Sequence, residues 1–192
     1  MCVDCCRFID LRRSTKDEQE RVKLLQEERA HFELVRRERG SYYTRRKQGI
    51  YCKGDYLSII IDGADQAAYG LPHFLEQDKI SSSCQKNPLH LMGALVHGRA
   101  SYAFTYLNNI KHGSNIVIEC LHRILADIDE SKEGIPPVLC LQLDNTVKQN
   151  KNQFLILYLA CLVDWGVVDK VLLSFLPVGH THEDIGIETN KA

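Results

Sequence analysis

The stretch FLPVGHTHEDIG, residues 175–186, sets His180, His182, Glu183 and Asp184 within five positions, just after Pro177 and Gly179. Imidazoles and carboxylates at this density suit a divalent cation, a general base for an attacking water, or a phosphate contact. Either histidine equally suits capping the turn that follows. Two further acid positions carry the same promise. Asp62 ends the apolar run YLSIIID, with Asp65 just beyond it, and Asp144 ends PVLCLQLD. An aspartate at a strand end is commonly only a cap. Carboxylates gathered in one place, however, repel one another and resist desolvation. A divalent cation removes that cost, and Mg²⁺ or Mn²⁺ prefers such oxygen ligands. Two ions about 4 Å apart can activate an attacking oxygen and stabilise a leaving one in phosphodiester chemistry.

The elements that must position these side chains are legible from residue 56 onward. YLSIIID reads as a buried strand. LHLMGALVHG and ASYAFTYLN read as two more, joined by a hairpin turn at Gly98 and Arg99. SNIVIECLHRILADIDESKEG reads as a helix with Ser114 as N-cap and an apolar face of Val117, Leu121, Leu125 and Ile128. PVLCLQLD is a buried strand, KQNKNQFLILYLACLVDWG a helix with a broad apolar face, and KVLLSFL a last strand. HTHEDIG then opens a final helix or turn. Phe154 and Trp165 are expected in the core, with Cys120, Cys140 and Cys161. Residues 72–88 form the one long loop. The order β-β-β-α-β-α-β-α predicts an α/β fold with a mixed sheet under helices. If the first, fourth and fifth strands run parallel, Asp62, Asp144 and HTHED meet at one edge.

The first part of the chain differs. Residues 1–55 hold 14 Lys+Arg and 10 Asp+Glu, a net +4; residues 56–192 hold 10 and 15, a net −5. The division is into a Cys-containing segment with a basic helix, 1–55, and a domain, 56–192. Residues 16–47 are helix formers interrupted only by Gly40, with Val22, Leu25, Phe32 and Val35 as a partial stripe. The end of this helix carries Arg36, Arg37, Arg39, Arg45, Arg46 and Lys47 beside Tyr42 and Tyr43. Such a run is a candidate nucleic-acid arm; cations complementing a helix C-terminus are the plain alternative. Cys2 and Cys5 have zinc-ligand spacing, with Cys6 and His31 as conceivable partners, but zinc needs four ligands and a complete site is not expected from one CxxC. No apolar leader precedes the charged N-terminal stretch, and eight cysteines without one point to reduced thiols in nucleus or cytoplasm, not secretion. The longest apolar run, FLILYLACLV, is too short for a bilayer before Asp164 interrupts it.

Taken together, the strand order and acid positions resemble the RNase H-like superfamily, which includes DDE-type transposases and retroviral-type integrases. That resemblance covers residues 56 to about 185. It implies acids on the first strand, after the fourth strand and on the last helix, matched here by Asp62, Asp144 and Glu183 or Asp184. Thirty-eight residues lie between Asp144 and Glu183, a spacing like the family's. LQLDNTVKQNKNQF and FLPVGHTHEDIG are also similar to two blocks of an uncharacterised transposon-derived family in animal genomes. CVDCC and ERAHFELVRRERGSYY look like the upstream Cys and His segment of that family. The sequence departs from it after Ile185, where GIETNKA stands in place of an Asp and a longer helix; a clipped copy is therefore expected. The resemblance implies metal-dependent phosphodiester hydrolysis or strand transfer on nucleic acid, DNA rather than RNA. Asp62, Asp144, Asp184 and His182 would hold Mg²⁺ or Mn²⁺, and His180 or His182 would serve the nucleophile.

Two alternatives stand beside it. A domesticated copy would bind nucleic acid or a protein without catalysis. A calcineurin-like metallophosphoesterase also places Gly-His-x-His after a strand, but it needs an Asp-x-His on its first strand and a central Asn-His pair. This chain has DGA and DNT in those places.

Overall fold

A computed structural model of the chain describes residues 2–64, 70–72, 83, 85–111, 113–131, 133–146 and 150–175. Two helices open it, α1 (Val3–Ser14) and α2 (Glu18–Tyr51). Strand β1 (Tyr56–Gly63) follows, then a two-residue strand β2 (Gly70–Leu71), and the hairpin of β3 (Asn87–Val96) and β4 (Ala100–Leu107). The rest alternates: α3 (Ser114–Glu130), β5 (Val138–Leu143), α4 (Gln153–Asp164) and β6 (Lys170–Phe175).

The main sheet has the order β4-β3-β1-β5-β6, and β2 adds to the start of β3. β3 pairs antiparallel with both β1 and β4, while β5 runs parallel to β1 and to β6. The sheet is therefore mixed, as the element order implied. Between β3 and β4 the turn passes through Gly98 at φ +74°. A Cβ there would lie 3.0 Å from the Ile50 Cα, so glycine serves both the left-handed turn and close approach to the end of α2.

Strand alternation divides the core into two layers. Leu57, Ile59 and Ile61 of β1 and Leu139, Leu141 and Leu143 of β5 meet α3 and α4. The α3 residues Val117, Cys120, Leu121, Ile124, Leu125 and Ile128 are buried at helical spacing, including all four of the expected face. On the other side of the sheet, Ile60 and the partly buried Leu95 pack with Tyr42 of α2.

Several local expectations are corrected. α2 runs through Gly40 without a break; the glycine costs about 1 kcal/mol in helix propensity, which packing on the sheet outweighs. Its buried positions are Leu24, Glu28, Val35, Tyr42 and Gly49; of the predicted stripe Val35 is buried, whereas Val22, Leu25 and Phe32 are exposed. The N-cap of α3 is Gly113, with Ser114 its first helical residue. Phe154 and Trp165 are 59% and 69% exposed, outside the core. The reason is that α4 buries a single face, Leu155, Leu159 and Leu162, at i, i+4 and i+7. Cys120 and Cys140 are buried as expected, Cys161 partly.

The start of α4 also lies later than the sequence suggested. Asn152 caps it, its side-chain oxygen accepting from the backbone N–H groups of Phe154 and Leu155, both at 3.1 Å. Asn152→Ala should cost about 1 kcal/mol. For a chain of this size that lowers Tm by roughly 2–4 °C; an unchanged calorimetric Tm would remove the cap from this account.

Candidate functional site

The two central parallel strands set the geometry of one sheet edge. Ile61 of β1 stands opposite Leu143 of β5. The next residues along the two chains are Asp62 and Asp144, so the two aspartates leave neighbouring strands side by side. β6 pairs Phe175 with the same Leu143, which brings a third parallel strand to an end at this edge. Asp62 keeps the phase of Ser58 and Ile60, on the α2 side of the sheet. Both aspartates are partly buried. His180, His182, Glu183 and Asp184, and also Asp65, lie outside the described residues.

Local hydrogen bonds hold the two aspartates in place. Asp62 Oδ1 accepts from the Gly63 N–H at 2.9 Å, and Asp144 Oδ1 from the Asn145 N–H at 2.6 Å. The chain after Asp144 is fastened by Asn150, a residue the sequence reading passed over. Its Nδ2 donates to the Asp144 carbonyl at 2.9 Å and to Thr146 Oγ1 at 3.1 Å. The backbone N–H groups of Asn150 and Lys151 both donate to the Thr146 carbonyl. Asn150 is only 4% exposed. The signal in the sequence was a dense polar run, NTVKQNKN, directly after a buried strand. Lys151 then lies over the Phe175 ring, 4.9 Å from its centroid, and so ties this turn to the end of β6.

Two carboxylates at adjacent strand ends can offer oxygen ligands to a hard cation, and a complete set needs more. Among the described residues, the one group of three ligating side chains within 4.8 Å of one another lies elsewhere, at Cys2, Cys5 and His31. Burial raises the pKa of the Cys5 thiol above the ordinary cysteine value, and a side-chain hydrogen bond with Cys2 that favours the protonated thiol raises it further.

The six basic residues do not form one uniform surface. Arg36, Arg37 and Lys47 are exposed, whereas Arg39, Arg45 and Arg46 are partly buried. Arg37 pairs with Glu38 at 3.4 Å. Arg45 turns onto the sheet and donates to Ser174 Oγ at 2.6 Å, and Ser174 Oγ donates in turn to Gln142 Oε1 at 2.8 Å. This arginine satisfies a polar pair on β5 and β6 near the aspartate edge. The helix period explains the split: Arg39 and Arg46 follow the buried Val35 and Tyr42 by four positions and so border the packed face.

These features define the class: a mixed α/β domain, its sheet layered between helices, behind an N-terminal helical region. The family model described as "Domain of unknown function (DUF7869)" matches residues 79–187. The chain belongs to that family. No curated protein and no solved structure gives a significant match. The matched span includes Asp144 and the HTHED stretch and excludes β1, α1 and α2. Among the described residues, no helix is long and apolar enough to cross a membrane.

Proposed function

We propose that residues 56–192 are an RNase H-like domain of transposase or integrase descent, built for phosphodiester hydrolysis or strand transfer on nucleic acid with Mg²⁺ or Mn²⁺. The observation that carries this reading is the parallel register of Ile61 with Leu143, which makes Asp62 and Asp144 neighbours at one sheet edge. The strand order supports it as well: an antiparallel β4-β3-β1 unit flanked by parallel β5 and β6. In the proposed mechanism Asp62 and Asp144 supply oxygens to the cation, and Glu183 or Asp184 completes the set. His180 or His182 takes the proton of the attacking water. Arg36, Arg37 and Lys47, exposed on α2, contact phosphates. Asn150 acts as a positioning residue by fixing the main chain at Asp144.

Metal linkage tests the reading. Mn²⁺ at about a hundred times its Kd adds about 2.7 kcal/mol to folding. That raises Tm by roughly 5–10 °C in a chain of this size. Asp144→Asn should abolish the rise, and should also abolish Mn²⁺-dependent nicking of plasmid DNA. The same Tm rise in Asp144→Asn, or none in the parent chain, would remove Asp144 from any metal site and with it the nuclease reading.

A further inference from the structure

The thiol–imidazole group shares no residue with the sheet edge. α1 and α2 form an antiparallel helical hairpin: the first residues of the chain meet His31, and later residues of α1 meet positions nearer the start of α2. Cys2 and Cys5 meet His31, Arg7 meets Glu27 at 3.8 Å, and Arg12 meets Glu28 at 3.5 Å. We propose that Cys2, Cys5 and His31 are the ligands of a zinc ion that fastens α1 to α2.

Geometry is the first argument. With Zn–S near 2.3 Å and Zn–N near 2.0–2.1 Å, tetrahedral zinc holds a sulfur and a nitrogen about 3.6 Å apart. His31 Nε2 lies 3.8 Å from Cys2 Sγ and 3.4 Å from Cys5 Sγ, so the two distances bracket that value. Ligand chemistry is the second. Thiolate and imidazole donors select zinc over Mg²⁺ or Mn²⁺. Orientation is the third: the His31 ring is flanked by Phe8 at 5.8 Å and Phe32 at 5.6 Å, with Phe8 buried. Side chains packed around a ligand in this way fix its ring for binding.

Among the described residues, α1 contributes little apolar burial to the hairpin. A 12-residue helix is marginal alone in water. Of the residues of α1, only Phe8 is buried, with Cys2 at its N-cap. Ion pairs as exposed as Arg7–Glu27 are worth about 0–1 kcal/mol. Zinc joining Cys2 and Cys5 to a residue 26 positions after Cys5 would supply what the apolar contacts do not, because metal binding here is folding free energy. The sequence spacing offered two ligands; the hairpin supplies the third. Cys6, one position past Cys5 on α1, lies outside the group, and among the described residues no fourth ligating side chain joins it; water would complete the tetrahedron.

The experiment uses the full chain, purified in reducing buffer with zinc and then dialysed free of unbound metal. About one zinc per chain is expected by elemental analysis. Cys5→Ser and His31→Gln should each lose most of it, while Cys6→Ser and the exposed-thiol control Cys52→Ser should keep it. A zinc-free parent chain, or full occupancy in His31→Gln, would overturn the proposal, and loss in Cys6→Ser would overturn the three-ligand set. A readout on the parent chain alone guards against misfolded variants. Removing zinc with a chelator should speed amide hydrogen exchange in α1 and leave β1, β5 and β6 unchanged; equal exchange in α1 with and without zinc would count against the ion as its fastener.

Discussion

Leu141→Ala should destabilise the chain by about 2–5 kcal/mol, the range for removing a buried leucine where the surroundings cannot collapse. Tm should fall by roughly 5–15 °C at this chain length. Leu141 is fully buried in the middle of β5. It is paired to Ile59 on one side and Leu173 on the other, and it faces the α3–α4 layer. Hydrogen-bonded strands on both flanks hold the backbone in place, so the cavity cannot close by a strand shift. Trp165→Ala is the contrast. It removes a larger side chain, but one that is 69% exposed, and should change Tm little. Thermal unfolding of both variants checks the assignment; equal shifts would mean that β5 is not an interior strand of the sheet. Because β5 sets the position of Asp144, the loosened variant should also weaken any Mn²⁺ stabilisation.

β5 and its neighbour β1 were also the part of the fold most visible in the sequence. PVLCLQLD and YLSIIID are near-continuous apolar runs, interrupted within the strands only by Gln142 and Ser58, as expected of strands buried on both faces. The hairpin was visible through Gly98, and α3 through its helical spacing. What could not be read depended on which neighbour each face meets. α4 looks apolar all round, so Phe154 and Trp165 seemed to belong inside. Only one face of that helix reaches the sheet, and no composition count contains that fact. The buried face of α2 was hidden for a similar reason: its positions include Glu28 and Gly49, which no apolar template selects.

The two candidate sites differ in legibility on the same grounds. An acid ending a buried strand marks an edge from local sequence alone, and parallel register then places Asp62 next to Asp144 without reference to any side chain. The thiol–imidazole group depends on the turn at residues 15–17 folding α1 back along α2. Cys2 and His31 are 29 positions apart, and spacing says nothing about that turn. Asn150 was overlooked because its work is done on main-chain atoms. A polar side chain that is nearly fully buried just past a strand was the clue, and burial is not legible in a run such as NTVKQNKN. The basic run was correctly seen as charge, but Arg45 shows that charge on a helix can be spent on the fold itself, against Ser174 and Gln142.

Glycine substitutions on α2 should have opposite signs at two positions seventeen and eight residues short of Leu57, the first fully buried residue of β1. At Gly40 a Cβ would meet nothing within 4 Å. Gly40→Ala should therefore stabilise by about 0.5–1 kcal/mol through helix propensity alone. At Gly49 the same Cβ would fall 2.6 Å from Ser58 Cβ and 3.2 Å from the Ser58 backbone nitrogen. Neither atom belongs to a movable side-chain tip, so α2 must move away from β1. Overpacking of this kind costs about 1–3 kcal/mol. The displacement also strains a buried polar chain: Ser58 Oγ lies 2.9 Å from His97 Nδ1, and Tyr42 Oη 3.1 Å from His97 Nε2. Leaving such groups unpaired adds a further desolvation cost of about 1–3 kcal/mol. Gly49→Ala should thus lower stability despite its better helix propensity, by a net amount of about 1–5 kcal/mol. Urea unfolding of the two single variants and the double variant measures both signs. Stabilisation by Gly49→Ala would mean that α2 does not lie against β1, and the basic residues of α2 would then lose their fixed relation to the aspartate edge.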